Sequence, residues 1–565
     1  METLDWIVIG LFCLALVGII VWVMRQKQDD SKDYFLGGRD ATWIAIGASI
    51  FASNIGSEHL IGLAGAGASS GMAMAHWEIQ GWMILLLGWV FVPFYSRSMV
   101  YTMPEFLERR YNPQSRTILS LISLISYVLT KVAVTVYAGG LVFQQVFGID
   151  TLWGIDFFWI AAIGLVVITA LYTIFGGMKS VLYTSVLQTP ILLLGSLIIL
   201  VLGFKELGGW KEMMSICSNV TVNDYGDSMT DLIRDNRDPN FPWLGALVGS
   251  SIIGFWYWCT DQFIVQRVLS GKNQKEARRG TIFGAYLKLL PVFLFLIPGM
   301  IAFALHQKSL VAGGEGFLPM LANGMHNADA AFPTLVSKLL PAGVKGIVVC
   351  GILAALMSSL ASLFNSSAML FTIDFYKRFR PETSEKKLVV IGQIATAVIV
   401  LLGILWIPIM RSVGDVLYAY LQDVQSVLAP GIAAAFLLGI CWKRASAKGG
   451  MWGLLAGMVI GLTRLGAKVY YSTVGAGAGD SLFKYLFYDL NWLFFCGWMF
   501  LFCLVVVIVV SYCTEAPSPE KIKGLVFGTS SKEQLAETRA SWNVWDIVHT
   551  CIILAITAAF YWYFW

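Results

Sequence analysis

Fourteen stretches of about 20 predominantly apolar residues divide this chain, and a run of that length is what an α-helix needs to cross a hydrocarbon layer of about 30 Å. They lie near 5–24, 42–66, 77–100, 117–147, 152–175, 181–203, 241–268, 280–305, 342–375, 387–410, 413–441, 449–471, 490–512 and 544–564. Such a chain has few options, because in hydrocarbon every backbone N–H and C=O must find an internal partner, which leaves helices as the spanning element here. Hydrophobic residues fill 57% of the 565 positions and charged ones 13%, with a mean hydropathy of +0.71, so a water-soluble globule is excluded. A net charge of +4 is too small to suggest a nucleic-acid partner, and the bilayer is the partner that the pattern demands.

The charges fall between the apolar runs. Basic residues cluster in alternate connections: Arg25, Lys27, Lys32 and Arg39; Arg97, Arg109, Arg110 and Arg116; Lys272, Lys275, Arg278 and Arg279. Lys377, Arg378 and Arg380, then Lys443, Arg444 and Lys448, then Lys521 and Lys523 continue the series. Basic loops stay in the cytoplasm, and fourteen spans satisfy every cluster only with both termini outside. The first run follows Asp5 rather than a basic region and is long enough to span, so it reads as a retained helix and not a cleaved signal. The nine cysteines are scattered without CxxC spacing and read as small packing residues. No GxxxxGK[ST] loop occurs, so transport by this chain is expected to be driven by a gradient and not by ATP.

Three polar features interrupt the apolar runs. The stretch FASNIGSEHLIGLAGAG, residues 51–67, places Asn54, Glu58 and His59 at mid-span among glycines. Close helix packing explains Gly62, Gly65 and Gly67, but Asn54, Glu58 and His59 predict a broken helix, since irregular backbone survives in a membrane only where it lines a cavity or is buried in protein. A second break is predicted in GFWYWCTDQFIVQR, residues 254–267, where Asp261 and Gln262 read as membrane-edge residues and Tyr257 and Trp258 as ordinary bundle aromatics. Leaving the first run aside, the two breaks fall in the first and sixth of the next ten spans, the arrangement of a five-plus-five inverted repeat with its substrate site at the repeat interface. The third feature is AALMSSLASLFNSS, in which Ala355, Ser358, Ser359, Ser362 and Ser366 share one helical face. Hydroxyls facing a helix break with free carbonyls supply hard oxygen ligands for a small cation such as sodium, without a carboxylate.

Isolated polar groups inside the runs are Glu78, Lys131, Lys288 and Gln422. Each ionisable one costs a few kcal/mol at the bilayer centre, so a functional role is the default. Glu78 and Lys288 could equally be a structural ion pair. A carboxylate, an imidazole, amides and an ammonium around aromatic faces suit a neutral polyol, which needs many hydrogen bonds and little net charge.

The motifs ASNIGSEHLIGLAG, TMPEFLERR, ALYTIFGG, WYWCTDQFIVQRVLSGKN, YLKLLP, LMSSLASLFNSSAMLFTIDFY and AFLLGICWKR, in that order, resemble the solute:sodium symporter family in its sodium/glucose cotransporter branch. The resemblance covers nearly the whole chain. It implies an all-α membrane protein of about 14 helices with a LeuT-like inverted-repeat core: an extra N-terminal helix and inner loop over 1–41, a first repeat over 42–203, a second over 241–441, and additional C-terminal helices over 442–565. It implies sodium-coupled import of a neutral hexose such as glucose or galactose by alternating access. Myo-inositol is the alternative substrate, because the SEH triplet at 57–59 occurs in both kinds of member, and a non-transporting sugar sensor is a further alternative. Carried over by matching motif, sodium would meet the carbonyls of Ala52, Ile55 and Ala355 and the hydroxyls of Ser358 and Ser359. The sugar would meet Asn54, His59, Glu78, Lys288 and Gln422, with Tyr257 as an aromatic gate and Trp258 and Trp77 nearby, which replaces the bundle-aromatic reading; Glu58 keeps no assigned role.

This chain departs from the family pattern where Tyr183-Thr184-Ser185 stands for Tyr-Thr-Asp, which bears on a further cation site. Gly254 replaces a polar sugar contact, and Ala419 stands where glucose transporters often carry Asp. The connection 307–341 lacks the cysteine-rich loop of the animal proteins, which points to a bacterial inner membrane. A membrane enzyme using His59 and Glu78 is disfavoured, because no nucleophile or metal-ligand spacing accompanies them.

Overall fold

The computed structural model describes residues 1–26, 30–56, 58–321, 324–413, 417–474 and 481–565, and the side chains at 129, 409–413, 417–423 and 472–474 also lie outside the described residues. Among the described residues eleven helices are long and apolar enough to cross a membrane. Two of the expected runs fall short of that length because they are interrupted. The helix Trp43–Asn54 stops where Ile55 turns extended, at φ −76° and ψ 106°. The chain resumes as a widened turn over Glu58–Leu63 and a short helix Ala64–Ser69. Trp243–Gly254 likewise runs into a widened turn, Phe255–Thr260, and breaks at Asp261, at φ −76° and ψ 128°, before Gln262–Leu269. Both predicted breaks are therefore present.

A third run is long rather than short. Phe157–Leu207 has 51 residues, about 77 Å at 1.5 Å per residue, far more than one crossing needs. It bends at Gly177, at φ 51° and ψ −148°, a conformation open to glycine, and a Cβ there would stand 2.5 Å from the Tyr34 carbonyl oxygen.

The serine helix, Val344–Met369, holds the two breaks together. Ser359 Oγ donates to the Ser53 carbonyl at 3.0 Å, the Ser53 and Ser362 hydroxyls lie 2.6 Å apart, and Ser366 Oγ donates to Gln266 Oε1 at 2.7 Å. The predicted hydroxyl face thus reaches the first broken helix at one end and the second at the other. Glycines make the close crossings: a Cβ on Gly67 would collide with the Leu296 carbonyl, and one on Gly299 with the Ala64 carbonyl.

The TMPEFLERR motif has a mechanical explanation. It forms the helix Met103–Arg110, capped by Thr102 Oγ1, which accepts from Glu105 N at 3.1 Å. Arg110, only 1% exposed, donates to the carbonyls of Gly439, Trp442 and Ala445 at 2.5, 3.1 and 3.0 Å. A guanidinium at that point binds carbonyls in the last turn of the helix Leu417–Cys441 and in the turn that follows it. Elsewhere the helices turn apolar faces outward, as Leu11 and Leu14 do on Thr3–Met24, and lipid is the medium that covers them.

Asp261 and Gln262 are both buried at the second break, where Asp261 caps Phe263 N at 3.3 Å and Gln262 Oε1 accepts from Met103 N at 2.8 Å. Unwinding at Asp261 frees a backbone N–H that a carboxylate can take, which suits an acid to the break.

Candidate functional site

The two breaks and the helices facing them enclose a cavity of about 60 Å³ lined by Asn54, Glu58, His59, Trp77, Glu78, Gln80, Gly254, Tyr257, Trp258, Lys288 and Gln425, with Ile253. A chain of polar contacts crosses it. Tyr257 Oη accepts from Asn54 Nδ2 at 3.1 Å, Asn54 Oδ1 accepts from Lys288 Nζ at 3.2 Å, and Lys288 Nζ donates to Glu78 Oε2 at 2.6 Å. His59 Nε2 lies 3.4 Å from Glu78 Oε2, close enough for charge to matter but without hydrogen-bond geometry. The expected Glu78–Lys288 pair is thus present, and it sits inside the cavity. Structural pairing and a place in the pocket coexist.

The aromatic groups frame this chain of contacts. Tyr257 and Trp258 meet edge to face with centroids 5.0 Å apart, Lys288 Nζ lies 5.3 Å from the Trp258 ring, and Trp77 stacks on Trp492 at 5.6 Å. Trp77 Nε1 and both ring nitrogens of His59 are buried without a hydrogen-bond partner among the described residues. Buried donors left unpaired cost about 1–3 kcal/mol each, so these groups are primed for a ligand that brings hydroxyls. Gln422 lies outside the described residues. Two lining amides went unrecognised in the sequence: Gln425, one helical turn beyond Gln422, and Gln80, two residues after Glu78. The i, i+3 repeat of glutamine on one helix was the available signal for Gln425.

Of the predicted cation ligands, Ser359 reaches the first break beside this cavity. Past the last helical bond, from Ile55 N to the Phe51 carbonyl at 3.0 Å, no backbone N–H among the described residues reaches the Ala52 or Ile55 carbonyl. Ser359 faces this end of the helix, its Oγ 2.9 Å from the point a Gly56 Cβ would occupy, whereas Ser358 Oγ lies 3.2 Å from Ser185 Oγ on the helix Phe157–Leu207. Ala355 stands one turn earlier on the same helix and is buried. The donor set is neutral oxygen throughout, which fits sodium and excludes zinc-type chemistry. Among the described residues no cluster of His, Cys, Asp and Glu could hold a metal ion.

Glu58 and Lys131 line a second small cavity, with Thr135, Tyr257, Phe263, Ser359, Leu363 and Gln425. Lys131 Nζ donates to Asp261 Oδ2 at 2.8 Å, and the rings of Tyr257, Phe263, Tyr127 and Trp256 stand 4.8, 4.9, 5.0 and 5.3 Å from the ammonium. Tyr127 Oη donates to Asp261 Oδ1. Four aromatic faces and a carboxylate explain how an ammonium tolerates this degree of burial. Tyr257 joins both cavities, one through its hydroxyl and the other through its ring.

Known proteins resemble this chain in sequence and fold. The sequence profile described as "Sodium:solute symporter family" matches residues 34–457. The mouse protein "Sodium/myo-inositol cotransporter 2" is 39% identical over 543 residues, covering 94% of this chain and 80% of the relative. The zebrafish "Sodium/glucose cotransporter 4" is 36% identical over 559 residues, covering 96% of this chain and 84% of the relative. Among solved structures, a Na+-coupled sialic acid symporter in a substrate-bound outward-open state superposes with a TM-score of 0.71 at 21% identity, over 92% of this chain and 99% of that one. MhsT in complex with L-phenylalanine gives 0.50 at 13% identity, over 83% and 98%. At such identities the likeness speaks for the fold, an all-α core of LeuT type with broken helices. Profile, relatives and geometry agree: this chain belongs to the sodium:solute symporter family.

Proposed function

We propose that this symporter couples sodium entry to uptake of a neutral polyol of the myo-inositol type by alternating access. The observation that carries the reading is the cavity at the junction of the two helix breaks, where neutral hydrogen-bonding groups and aromatic faces surround the Glu78–Lys288 ion pair, with the Glu58 carboxylate at its edge. The expectation of a hexose gives way to a cyclic polyol because the mouse sodium/myo-inositol cotransporter 2 shares 39% identity with this chain. Glucose stays as a second reading on the strength of the zebrafish sodium/glucose cotransporter 4, at 36%.

In this reading Asn54, His59, Trp77, Glu78, Tyr257, Trp258 and Lys288 contact the polyol, with Gln422 from the same helix as Gln425. Sodium is held by the carbonyls of Ala52, Ile55 and Ala355 and the hydroxyls of Ser358 and Ser359. Sodium between the broken helix and the serine face pre-organises Asn54 and His59, and its loss to the cytoplasm loosens them. A cavity of about 60 Å³ has room for a few waters and is smaller than the 300–1,000 Å³ of typical ligand pockets, so loading requires its walls to move. One sodium at about 100 mV supplies about 2.3 kcal/mol and a tenfold gradient about 1.4, together enough for roughly 500-fold accumulation.

The same reading counts fourteen crossings: the eleven continuous helices, the two broken ones, and a second crossing within Phe157–Leu207. The repeats then span 42–203 and 241–441, after an N-terminal helix over 1–41 and before C-terminal helices over 442–565, with both termini outside. A bacterial inner membrane is the setting suggested by an outer connection, 307–341, without cysteine.

Reconstitution into proteoliposomes tests the reading directly. Labelled myo-inositol should enter only with an inward sodium gradient and be displaced by unlabelled myo-inositol better than by glucose. Ser359→Ala should raise the sodium concentration for half-maximal uptake by about tenfold or more. Uptake indifferent to sodium, or a sensor-like protein that binds polyol and moves none, refutes the proposal.

A further inference from the structure

Gly254 lies on the second broken helix, in the wall of the main cavity, and the space its side chain would take is filled from across the pocket by Gln80. A Cβ on Gly254 would stand 2.5 Å from Gln80 Oε1, 2.9 Å from its Cδ and 3.1 Å from its Nε2. Gln80 is 4% exposed, lines the cavity beside Glu78, and donates from Nε2 to the Ser250 carbonyl at 2.8 Å. A carbonyl can only accept, so this bond fixes the amide's orientation: nitrogen towards Ser250, oxygen turned away from it. Among the described residues no donor reaches Gln80 Oε1.

We propose that Gln80 is a specificity-determining residue: Oε1 accepts a hydrogen bond from one hydroxyl of the substrate polyol, and Gly254 is the residue that makes room for the amide. The inference rests on the polyol-uptake reading above and extends it to a position at which the resemblance leaves the pocket one polar contact short. An amide oxygen held this way can only accept. The substrate must therefore present a donor there, and an analogue with hydrogen or fluorine in place of that hydroxyl leaves the oxygen buried and unpaired. Sites built to bond a hydroxyl reject the analogue that lacks it far more strongly than apolar pockets reject a misfit.

The test uses the full reconstituted chain and a set of monodeoxy and monofluoro analogues of myo-inositol and of glucose as competitors of labelled uptake. The wild type should bind one deoxy analogue and the matching fluoro analogue at least about tenfold more weakly than the parent. In Gln80→Met, of similar size but without the acceptor, the parent should lose about tenfold in affinity while that one pair of analogues binds nearly as well as the parent. Gly254→Ala keeps the amide but drives a methyl into it, and should weaken the parent in the same selective manner. Gln80→Met that preserves the wild-type pattern, either unchanged or weakened equally for every analogue, overturns the proposal, since the amide would then serve only to hold the Ser250 carbonyl. A wild type that transports neither myo-inositol nor a hexose overturns the uptake reading itself.

Discussion

Replacing Glu78 by Gln removes a charge from the pocket while keeping its shape. The carboxylate stands 2.6 Å from Lys288 Nζ, and both residues are 3% exposed. Breaking one partner of a buried pair costs about 3–5 kcal/mol, chiefly because the other charge is stranded. Lys288 would retain Asn54 Oδ1 at 3.2 Å and the Trp258 face at 5.3 Å, so the lower end of that range, about 3 kcal/mol, is expected. Lys288→Met should cost a similar amount by stranding Glu78. The double variant strands neither, and pairs replaced by groups of like shape are close to neutral, so it should be no less stable than either single variant, a coupling of at least about 3 kcal/mol. Denaturant unfolding in mixed micelles measures the four stabilities, and competition with labelled polyol measures binding in the same preparations. Stability should return in the double variant and binding should not, because the hydrogen-bonding groups are lost even where the charges balance. Losses that add to within about 0.5 kcal/mol would refute the pairing.

Two further predictions concern Asp329 and Gly67. Asp329, in the connection after Gln274–Val311, touches the space above Gly65 and has its carboxyl pushed up to about 6 by burial. A pKa raised from an ordinary 3.8 means stability that is full below about pH 4 and lost as pH rises through 6. Unfolding midpoints of the wild type should therefore fall between pH 5 and 8 by the equivalent of about 1 kcal/mol after solvent screening, and those of Asp329→Asn should stay flat. Gly67→Ala would set a methyl against the Leu296 carbonyl and 3.3 Å from the Gly299 Cα, backbone atoms that cannot rotate away. A loss of about 1–3 kcal/mol in thermal unfolding is expected; unchanged stability would mean the two helices do not cross there.

Much of the architecture was legible in the sequence because membrane chains write their constraints in polarity. Asn54, Glu58 and His59 in an apolar run announced a break, and the chain turns extended at Ile55. The serine face was readable from spacing, and Ser359 and Ser366 reach the two broken helices as that spacing requires. Pairing across long separations was not readable. Lys131 and Asp261 lie 130 residues apart, and nothing local shows that an ammonium in one run meets a carboxylate in another. Gln80 was hidden for a related reason, since its place depends on a side chain missing from Gly254, on a helix that enters the pocket from elsewhere in the chain.

Widened turns account for most of what remained illegible. His59 lies in the turn Glu58–Leu63, Lys131 in Tyr127–Val132, and Tyr257 and Trp258 in Phe255–Thr260. Each such turn admits one extra residue, so every side chain beyond it is rotated by about 100° from the face that a 3.6-residue period assigns. A helical wheel drawn through Trp243–Leu269 therefore misplaces Asp261, whose N–H bonds back five residues to the Trp256 carbonyl at 2.9 Å before the helix breaks. Within that turn Tyr257 directs its hydroxyl to Asn54 while its ring covers Lys131. Periodicity fails in this chain at the turns that aim side chains into the two cavities, so the residues hardest to place from sequence are those on which the site depends.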